Sequence, residues 1–244
     1  MALPKLMVPT YDLEVPSNGT KIQYRPFLVR EEKLLLMASE GDDEKVMAKA
    51  LREIVEHCVL TKLNINELTI YDLEYIFLQL RARSVGEISD LRYVCQNNIG
   101  KSKKTEKKCL APIKISLDLS TIEVQKDEKH DGHIKLTDTI GIILKDPSVA
   151  LIEKYGVREI ESVENLFDVI ADCVDHVYSG EQIIKDYKKE ELDEFIGSLT
   201  QQQFEGVKTF FETVPKLHHT VSFKCDKCKN ESSVELRGLT DFFM

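Results

Sequence analysis

The sequence predicts an α+β fold in which helical blocks surround a small antiparallel sheet layer with a zinc-ribbon-like cluster of four cysteines. Three observations support this prediction. Residues 30–84 and 147–214 repeat apolar side chains at the three- and four-residue spacing of helices. Residues 85–145 and 216–236 instead show the alternating apolar and polar pattern of strands. Two pairs of cysteines lie in these strand segments.

The composition is that of a globular protein with an excess of acidic residues. The chain has 244 residues, enough for one large or two small domains that bury a core without disulfides. Its net charge of −9 and pI near 5.3 argue against a general nucleic-acid binder. No apolar run approaches the roughly 20 residues of a membrane span, and the first residues lack the apolar centre of a secretory signal. We therefore expect a reducing cytosol, where a Cys-x2-Cys pair is more often a metal site than a disulfide.

The chain divides into five predicted segments in sequence order. They are an extended arm with a hairpin (residues 1–27), an N-terminal helical block (28–84), a β-rich segment with the first cysteine pair (85–145), a C-terminal helical block (146–215), and a zinc-knuckle hairpin with an apolar tail (216–244). In the first segment, Asn18-Gly19 is a strong turn dipeptide between two strand patterns. The hairpin either caps the domain or presents an exposed strand that pairs with a partner.

Capping residues predict where the helices of the first block begin. Asp42 or Asp43 is the expected N-cap of its second helix. Thr69 is the expected N-cap of its third helix, with Asp72 three residues later. Cys58 lies on the apolar face of the second helix, where a free cysteine behaves as a small hydrophobic residue.

The second helical block shows similar signals. Pro147 is expected at the first position of one helix. A second helix is predicted to start at Ser162 and to end at Gly180, with Cys173 on its apolar face. Thr200 begins the last helix of the block with a capping box.

The β-rich segment contains strand patterns at 88–95 and 113–119 and several shorter ones. Between the first two, residues 96–108 include five lysines and one glutamate. This run is expected to be a solvated loop, with phosphate contact as the alternative. His130 and His133 flank a turn signal, so we expect exposed histidines rather than metal ligands.

The C-terminal residues 239–244 include three large apolar side chains, which a disordered tail would rarely have. Two interpretations remain open at this point. The tail docks onto the core of this chain, or it anchors a partner.

Four cysteines form the candidate metal site. Cys225 and Cys228 are separated by two residues, the spacing of a zinc knuckle. Cys95 and Cys109 lie in the β-rich segment and would complete a tetrahedral site with four thiolate ligands. The thiols lose their protons on binding, and the metal then contributes free energy to folding. The alternative is that all four are ordinary reduced thiols.

We find no sequence signature of an enzyme. The chain has no glycine-rich phosphate loop, no His-Glu-x-x-His motif and no Ser/His/Asp arrangement. A zinc ion with four thiolate ligands has no open position for water or substrate. The sequence therefore favours a binding or assembly protein.

Several segments form a distinctive order along the chain. They are RARSVGE before the strand that leads to Cys95, then KLTDTIGIILKDPS, LFDVIADCVDHVY, and QFEGVKTFFETVPKLHHTVSFKCDKCKNESSVELRGLTDFF. Together they resemble the T4-like bacteriophage baseplate hub subunit family. The resemblance implies a protein of myovirus tail morphogenesis, either a baseplate hub subunit or a factor that promotes hub assembly. It also implies a metal site at Cys95, Cys109, Cys225 and Cys228. The long spacing between Cys95 and Cys109 departs from the paired pattern.

The resemblance implies hub or tape-measure proteins as partners, and a location in the host cytoplasm during assembly or in the virion tail baseplate. No membrane, nucleic-acid or small-molecule partner is expected. The hairpin at 11–27 and the tail at 239–244 are the candidate contact elements. Two rival classes remain: a zinc-ribbon regulator that binds nucleic acid through the lysine loop 101–108, and an enzyme whose site the sequence does not reveal.

Overall fold

The chain folds around two hydrophobic cores, each built from helices packed against antiparallel strands. The computed structural model describes residues 6–41, 43–100, 107–156 and 165–243. Its helices are Val29–Ser39 (α1), Glu44–Cys58 (α2), Ile70–Val85 (α3), Val149–Tyr155 (α4), Leu166–Cys173 (α5), Lys189–Gly197 (α6), Gln201–Thr213 (α7) and Gly238–Phe243 (α8). Its strands are Tyr11–Glu14 (β1), Lys21–Tyr24 (β2), Ile88–Val94 (β3), Pro112–Asp118 (β4), Val124–Gln125 (β5), His133–Lys135 (β6), Ile140–Leu144 (β7), Val174–Ser179 (β8), Gln182–Ile184 (β9), Lys216–Lys224 (β10) and Glu231–Arg237 (β11).

The predicted mixture of helices and small antiparallel sheets is confirmed. The strands do not form one layer, however. They divide into four small sheets, with the orders β1-β2, β3-β4, β11-β10-β5 and β6-β7-β8-β9. The division into five segments in sequence order stays a prediction.

The first core lies among the β1-β2 hairpin, α2, α3, the β3-β4 hairpin, the β10-β11 hairpin and α8. The second core lies between the four-stranded sheet and helices α5, α6 and α7. The second core is formed within the stretch between β5 and β10. These two strands pair side by side, with Leu217 opposite Val124, so the chain leaves and re-enters the first core at one place.

Most predicted helix starts agree with the structure. Asp43 caps α2 and accepts hydrogen bonds from the backbone N–H groups of Lys45 and Val46. Thr69 and Asp72 form a capping box at α3. Thr200 forms one at α7. These local signals depend on a few neighbouring residues, so the sequence alone reveals them.

The predicted helix 162–180 is wrong in its second half. Its expected start at Ser162 lies outside the described residues. The helix ends at Cys173, and the chain then forms strand β8 at Val174–Ser179. In this strand Val177 is paired with Ile142 of the central strand β7. The apolar residues recur at a helical spacing, but the β-branched residues of this segment and its pairing with β7 favour a strand.

Two further predictions need correction. Pro147 precedes the N-cap Ser148 instead of taking the first helical position, and its carbonyl accepts a hydrogen bond from Ile70 N–H at the start of α3. His130 is half-buried rather than exposed. Its ring nitrogens lie 2.8 Å from Asp146 Oδ1 and 3.1 Å from Thr213 Oγ1. His133 is exposed, as expected.

The apolar tail docks onto the core of its own chain. Leu239 and Phe242 in α8 are buried, and Phe242 has no exposed surface. The tail is therefore wrong as a candidate contact for a partner. The hairpin also packs inward, since Ile22 and Tyr24 of β2 are buried in the first core.

Glu31 is a buried carboxylate that should make stability depend on pH. Burial alone would raise its pKa, but hydrogen bonds from Arg25, Arg30 and the backbone of Leu28 lower the pKa to about 2. A lowered pKa stabilises the folded state above the unfolded pKa of 4.5, and this contribution is lost as pH falls toward 2. We expect a loss of about 3 kcal/mol in the free energy of unfolding over that window.

Urea unfolding of Glu31→Gln and the wild type between pH 2 and pH 7 measures this contribution. The Gln variant should lack the acid-dependent component, because it has no carboxylate to protonate. Glu32→Gln, at the exposed neighbouring position, serves as control and should keep the wild-type profile. Parallel pH profiles for the wild type and Glu31→Gln would contradict the assignment.

Candidate metal centre

The four cysteines predicted as ligands come together where the β3-β4 and β10-β11 hairpins meet. All four Sγ atoms lie within 4.8 Å of one another. Two of these contacts join one hairpin to the other: Cys95 to Cys228 at 3.7 Å and Cys109 to Cys225 at 3.9 Å. Three of the four residues are buried, and Cys228 is half-buried.

The turn from Cys225 to Asn230 has the backbone of a metal knuckle, a tight turn whose N–H groups surround a cysteine. The N–H of Cys225 donates to Asn230 O at 2.9 Å, and the N–H of Lys229 donates back to Cys225 O at 2.8 Å. Lys229, directly after the second cysteine, has a positive φ of 59°. This conformation turns the chain and brings both thiols to the same side.

The turn from Cys95 to Ala111 repeats the same backbone pattern. The N–H of Cys95 donates to Ala111 O at 2.9 Å, and the N–H of Leu110 donates to Cys95 O at 3.0 Å. Leu110, directly after the second cysteine, has a positive φ of 52°. The two turns thus differ in the length of chain between their cysteines. They share the same pair of backbone hydrogen bonds and the same positive φ, which together we call the knuckle frame.

This shared frame explains the unusual spacing in the sequence. Thirteen residues separate Cys95 from Cys109, whereas two separate Cys225 from Cys228. The first turn is therefore a knuckle with eleven additional residues inserted between its cysteines. A bridge between Asn98 and Lys108 closes the base of the insertion. Most of the predicted lysine loop, residues 101–106, lies outside the described residues.

Backbone amides and the close approach of the thiols control the proton affinity of the cluster. The amide of Asn97 lowers the pKa of Cys95, but burial and the neighbouring thiols raise it to about 12. Burial likewise raises the pKa of Cys109. The backbone amide of Asn230, assisted by the Asn97 side chain 3.6 Å away, lowers the pKa of Cys228 to about 6.

The arrangement fits a tetrahedral metal ion. Thiolates at about 2.3 Å from a central zinc lie roughly 3.8 Å from one another. Two pairs here are separated by 3.7 Å and 3.9 Å, and all four Sγ atoms lie within 4.8 Å. A disulfide would need about 2.05 Å. Soft sulfur ligands in this geometry suit zinc or an iron–sulfur centre. For a zinc ion, four thiolate ligands would leave no open position for water or substrate.

The other two cysteines lie apart from this cluster. Burial raises the pKa of Cys58 to about 11 and that of Cys173 to about 12. Among the described residues, the four-cysteine cluster is the one group of three or more metal-ligating side chains close enough to share an ion. The four cysteines that the sequence paired are the four that the fold brings together, and their role as metal ligands stays a prediction. Sequence reasoning missed the amide side chain of Asn97, which no spacing rule indicates.

Sequence reasoning also missed a polar network that joins the two cores. Asp146 accepts a hydrogen bond from the Tyr71 hydroxyl at 2.7 Å and lies 2.8 Å from His130. His130 also stacks on Phe210, with ring centroids 4.8 Å apart. The partners are distant in sequence, so only the fold brings them together.

The described part of the chain contains no helix with the length and apolar character of a bilayer span.

Comparison with known protein families agrees with the sequence resemblance. The family model described as T4 bacteriophage base plate protein matches residues 8–244. The chain belongs to this family. The match covers the β3-β4 and β10-β11 hairpins and all four clustered cysteines of the baseplate protein. No curated protein and no solved structure matches the chain.

Proposed function

We propose that this baseplate-family protein is a non-enzymatic hub subunit or hub assembly factor held together by a structural zinc ion. The family match over nearly the whole chain is the observation that carries the proposal. The four-thiol cluster supports the structural role of the metal, because four protein ligands leave no coordination position for a substrate. The protein then acts by binding its neighbours in the tail.

The proposed partners are baseplate hub or tape-measure proteins. An assembly factor binds a subunit in its competent conformation and raises the population of that state. Of the two predicted contact elements, the hairpin remains a proposal. Strand β1 pairs with β2 among the described residues, and β2 is bonded to Leu60 on its other side. The outer edge of β1 is thus the part of the hairpin that a partner strand could extend.

Quantitative mass spectrometry of purified virions tests this function. A fixed copy number per tail would identify a hub subunit that remains in the particle. Absence from virions, with abundance in infected-cell lysate, would identify an assembly factor of the host cytoplasm. If particles neither contain nor require the chain, the proposal fails for both roles.

A regulator that binds nucleic acid is the second candidate, because residues 101–108 are rich in lysine. The net charge of −9 weighs against it. Phosphate contacts would make DNA binding fall steeply with salt. Absence of binding at low salt would exclude this candidate.

A further inference from the structure

Leu110 is an unusual residue for its position in the first knuckle. Its φ of 52° lies in the left-handed region, which the knuckle needs to turn the chain but which favours glycine or asparagine over leucine. Its side chain is also 59% exposed. The knuckle therefore accounts for the backbone conformation of Leu110 and leaves its exposed apolar side chain unexplained.

The second knuckle shows what the same position requires for folding. Lys229 occupies the equivalent place, with a φ of 59° and an exposed polar side chain. The two backbones make the same pair of hydrogen bonds. The frame therefore accepts a polar, solvated residue directly after the second cysteine, and leucine is not needed to form it.

Basic residues surround Leu110, although the chain as a whole is acidic. Lys107 and Lys108 precede it and are exposed. Lys227 reaches the same spot from the second knuckle, with its Nζ atom 3.2 Å from the carbonyl oxygen of Cys109. Asp226 is the one acidic residue within the second turn. Leu110 is thus an exposed apolar side chain beside the four-cysteine cluster, and lysines surround it although the protein has a net charge of −9.

We propose that Leu110 is an apolar anchor through which the protein docks onto a neighbouring baseplate protein whose contact surface is an apolar pocket with an acidic rim. This inference rests on the proposed function in the baseplate. The lysines would guide the approach of the acidic surface, and the leucine would fill the pocket. A nucleic acid is the weaker occupant, because phosphates give an exposed leucine nothing to bind.

The test is extract complementation with purified wild-type protein, Leu110→Lys and Leu110→Met. The probe is tail precursors isolated from cells infected with a phage that lacks this chain. Leu110→Lys places at the first knuckle the residue that the second one already contains, so its fold and metal content should not change. It should raise the protein concentration needed for half-maximal recovery of infectious particles at least about tenfold. Leu110→Met keeps an apolar side chain and should remain within roughly threefold of wild type.

Each outcome separates the inference from the function on which it rests. If wild-type protein restores no particles, the proposed baseplate function fails. If wild type and Leu110→Lys restore particles equally, the baseplate function stands and the anchor is refuted. A lower thermal midpoint or less bound zinc in Leu110→Lys would assign leucine a structural role and also refute it.

Two other occupants have their own readouts. Self-association in sedimentation velocity that Leu110→Lys abolishes would make a second copy the occupant and overturn the proposal. Salt-sensitive DNA binding that Leu110→Lys leaves intact or strengthens would do the same. The double variant Lys107→Glu/Lys108→Glu should restore fewer infectious particles in extract complementation, because its glutamates would repel an acidic partner surface. Its metal content should equal that of wild type.

Discussion

The Cys225→Ser variant should lose its bound zinc and melt roughly 10 °C below the wild-type protein. Cys225 is 1% exposed, and its thiol lies 3.9 Å from that of Cys109 on the other hairpin. Removing one of the four predicted ligands leaves two buried thiols and the half-buried thiol of Cys228 without a tetrahedral ion to join them. Loss of a structural metal belongs to the few single changes that cost about 4 kcal/mol or more, equivalent to about 8–16 °C for a chain of this length.

The measurement is zinc content by mass spectrometry together with calorimetric unfolding, on protein produced with zinc. Cys173→Ser is the matched control, because Cys173 is an equally buried free thiol outside the cluster. It should keep one zinc per chain. A wild-type protein that contains no zinc, together with equal midpoints for Cys225→Ser and wild type, would show that the cluster is an ordinary group of thiols.

Acid should release the metal as well, because each thiolate must bind a proton when the ion leaves. Metal affinity therefore falls as pH falls. Glu31 contributes to acid sensitivity below pH 4.5 by a separate route, through its ion pairs with Arg25 and Arg30. The Glu31→Gln variant separates the two contributions, since it still contains the complete cluster.

The sequence predicted the features that depend on local chemistry. The N-caps Asp43, Thr69 and Thr200 were found because a capping side chain and its backbone partners lie within three residues. The grouping of the four cysteines was predicted because cysteine is rare and its spacing is informative. The insertion between Cys95 and Cys109 obscured the first knuckle, whose identity depends on backbone hydrogen bonds that have no signature in residue type.

The features that depend on distant partners were not predictable in the same way. The residues of α5 and β8 form one continuous helical pattern, and only the neighbouring strand β7 decides that the second half is a strand. The turn signal beside His130 suggested exposure, but the His130 ring contacts Asp146 and Thr213. In both cases tertiary contacts outweighed a valid local preference.

The second large expected effect is on the free energy of unfolding, when a buried side chain of the C-terminal tail is removed. The tail was predicted as a possible partner contact, but in the structure it is part of the first core. Phe242 is fully buried, and its carbonyl accepts a hydrogen bond from the Ser89 hydroxyl of β3 at 2.9 Å. Phe242→Ala should lower the free energy of unfolding by about 3–5 kcal/mol, the usual cost of removing a buried ring and leaving a cavity. Urea unfolding at neutral pH measures the change.

The matched control is Phe167→Ala, because Phe167 is 46% exposed and its removal leaves no enclosed cavity. We expect less than about 1.5 kcal/mol for that variant. If Phe242 were instead a partner anchor, its replacement would leave the stability of the isolated protein unchanged and weaken only assembly. Equal stability of Phe242→Ala and wild type would therefore restore the partner interpretation of the tail.

Burial of Phe242 also links the end of the chain to the metal centre. Helix α8 follows β11 directly and packs on α3, β3, β10 and β11, and these three strands belong to the hairpins that hold the cysteines. Loss of the ring should therefore loosen both hairpins where they meet the first core. We expect Phe242→Ala to release zinc to a chelator faster than wild type, whereas Phe167→Ala should not, since Phe167 lies in α5 beside the second core.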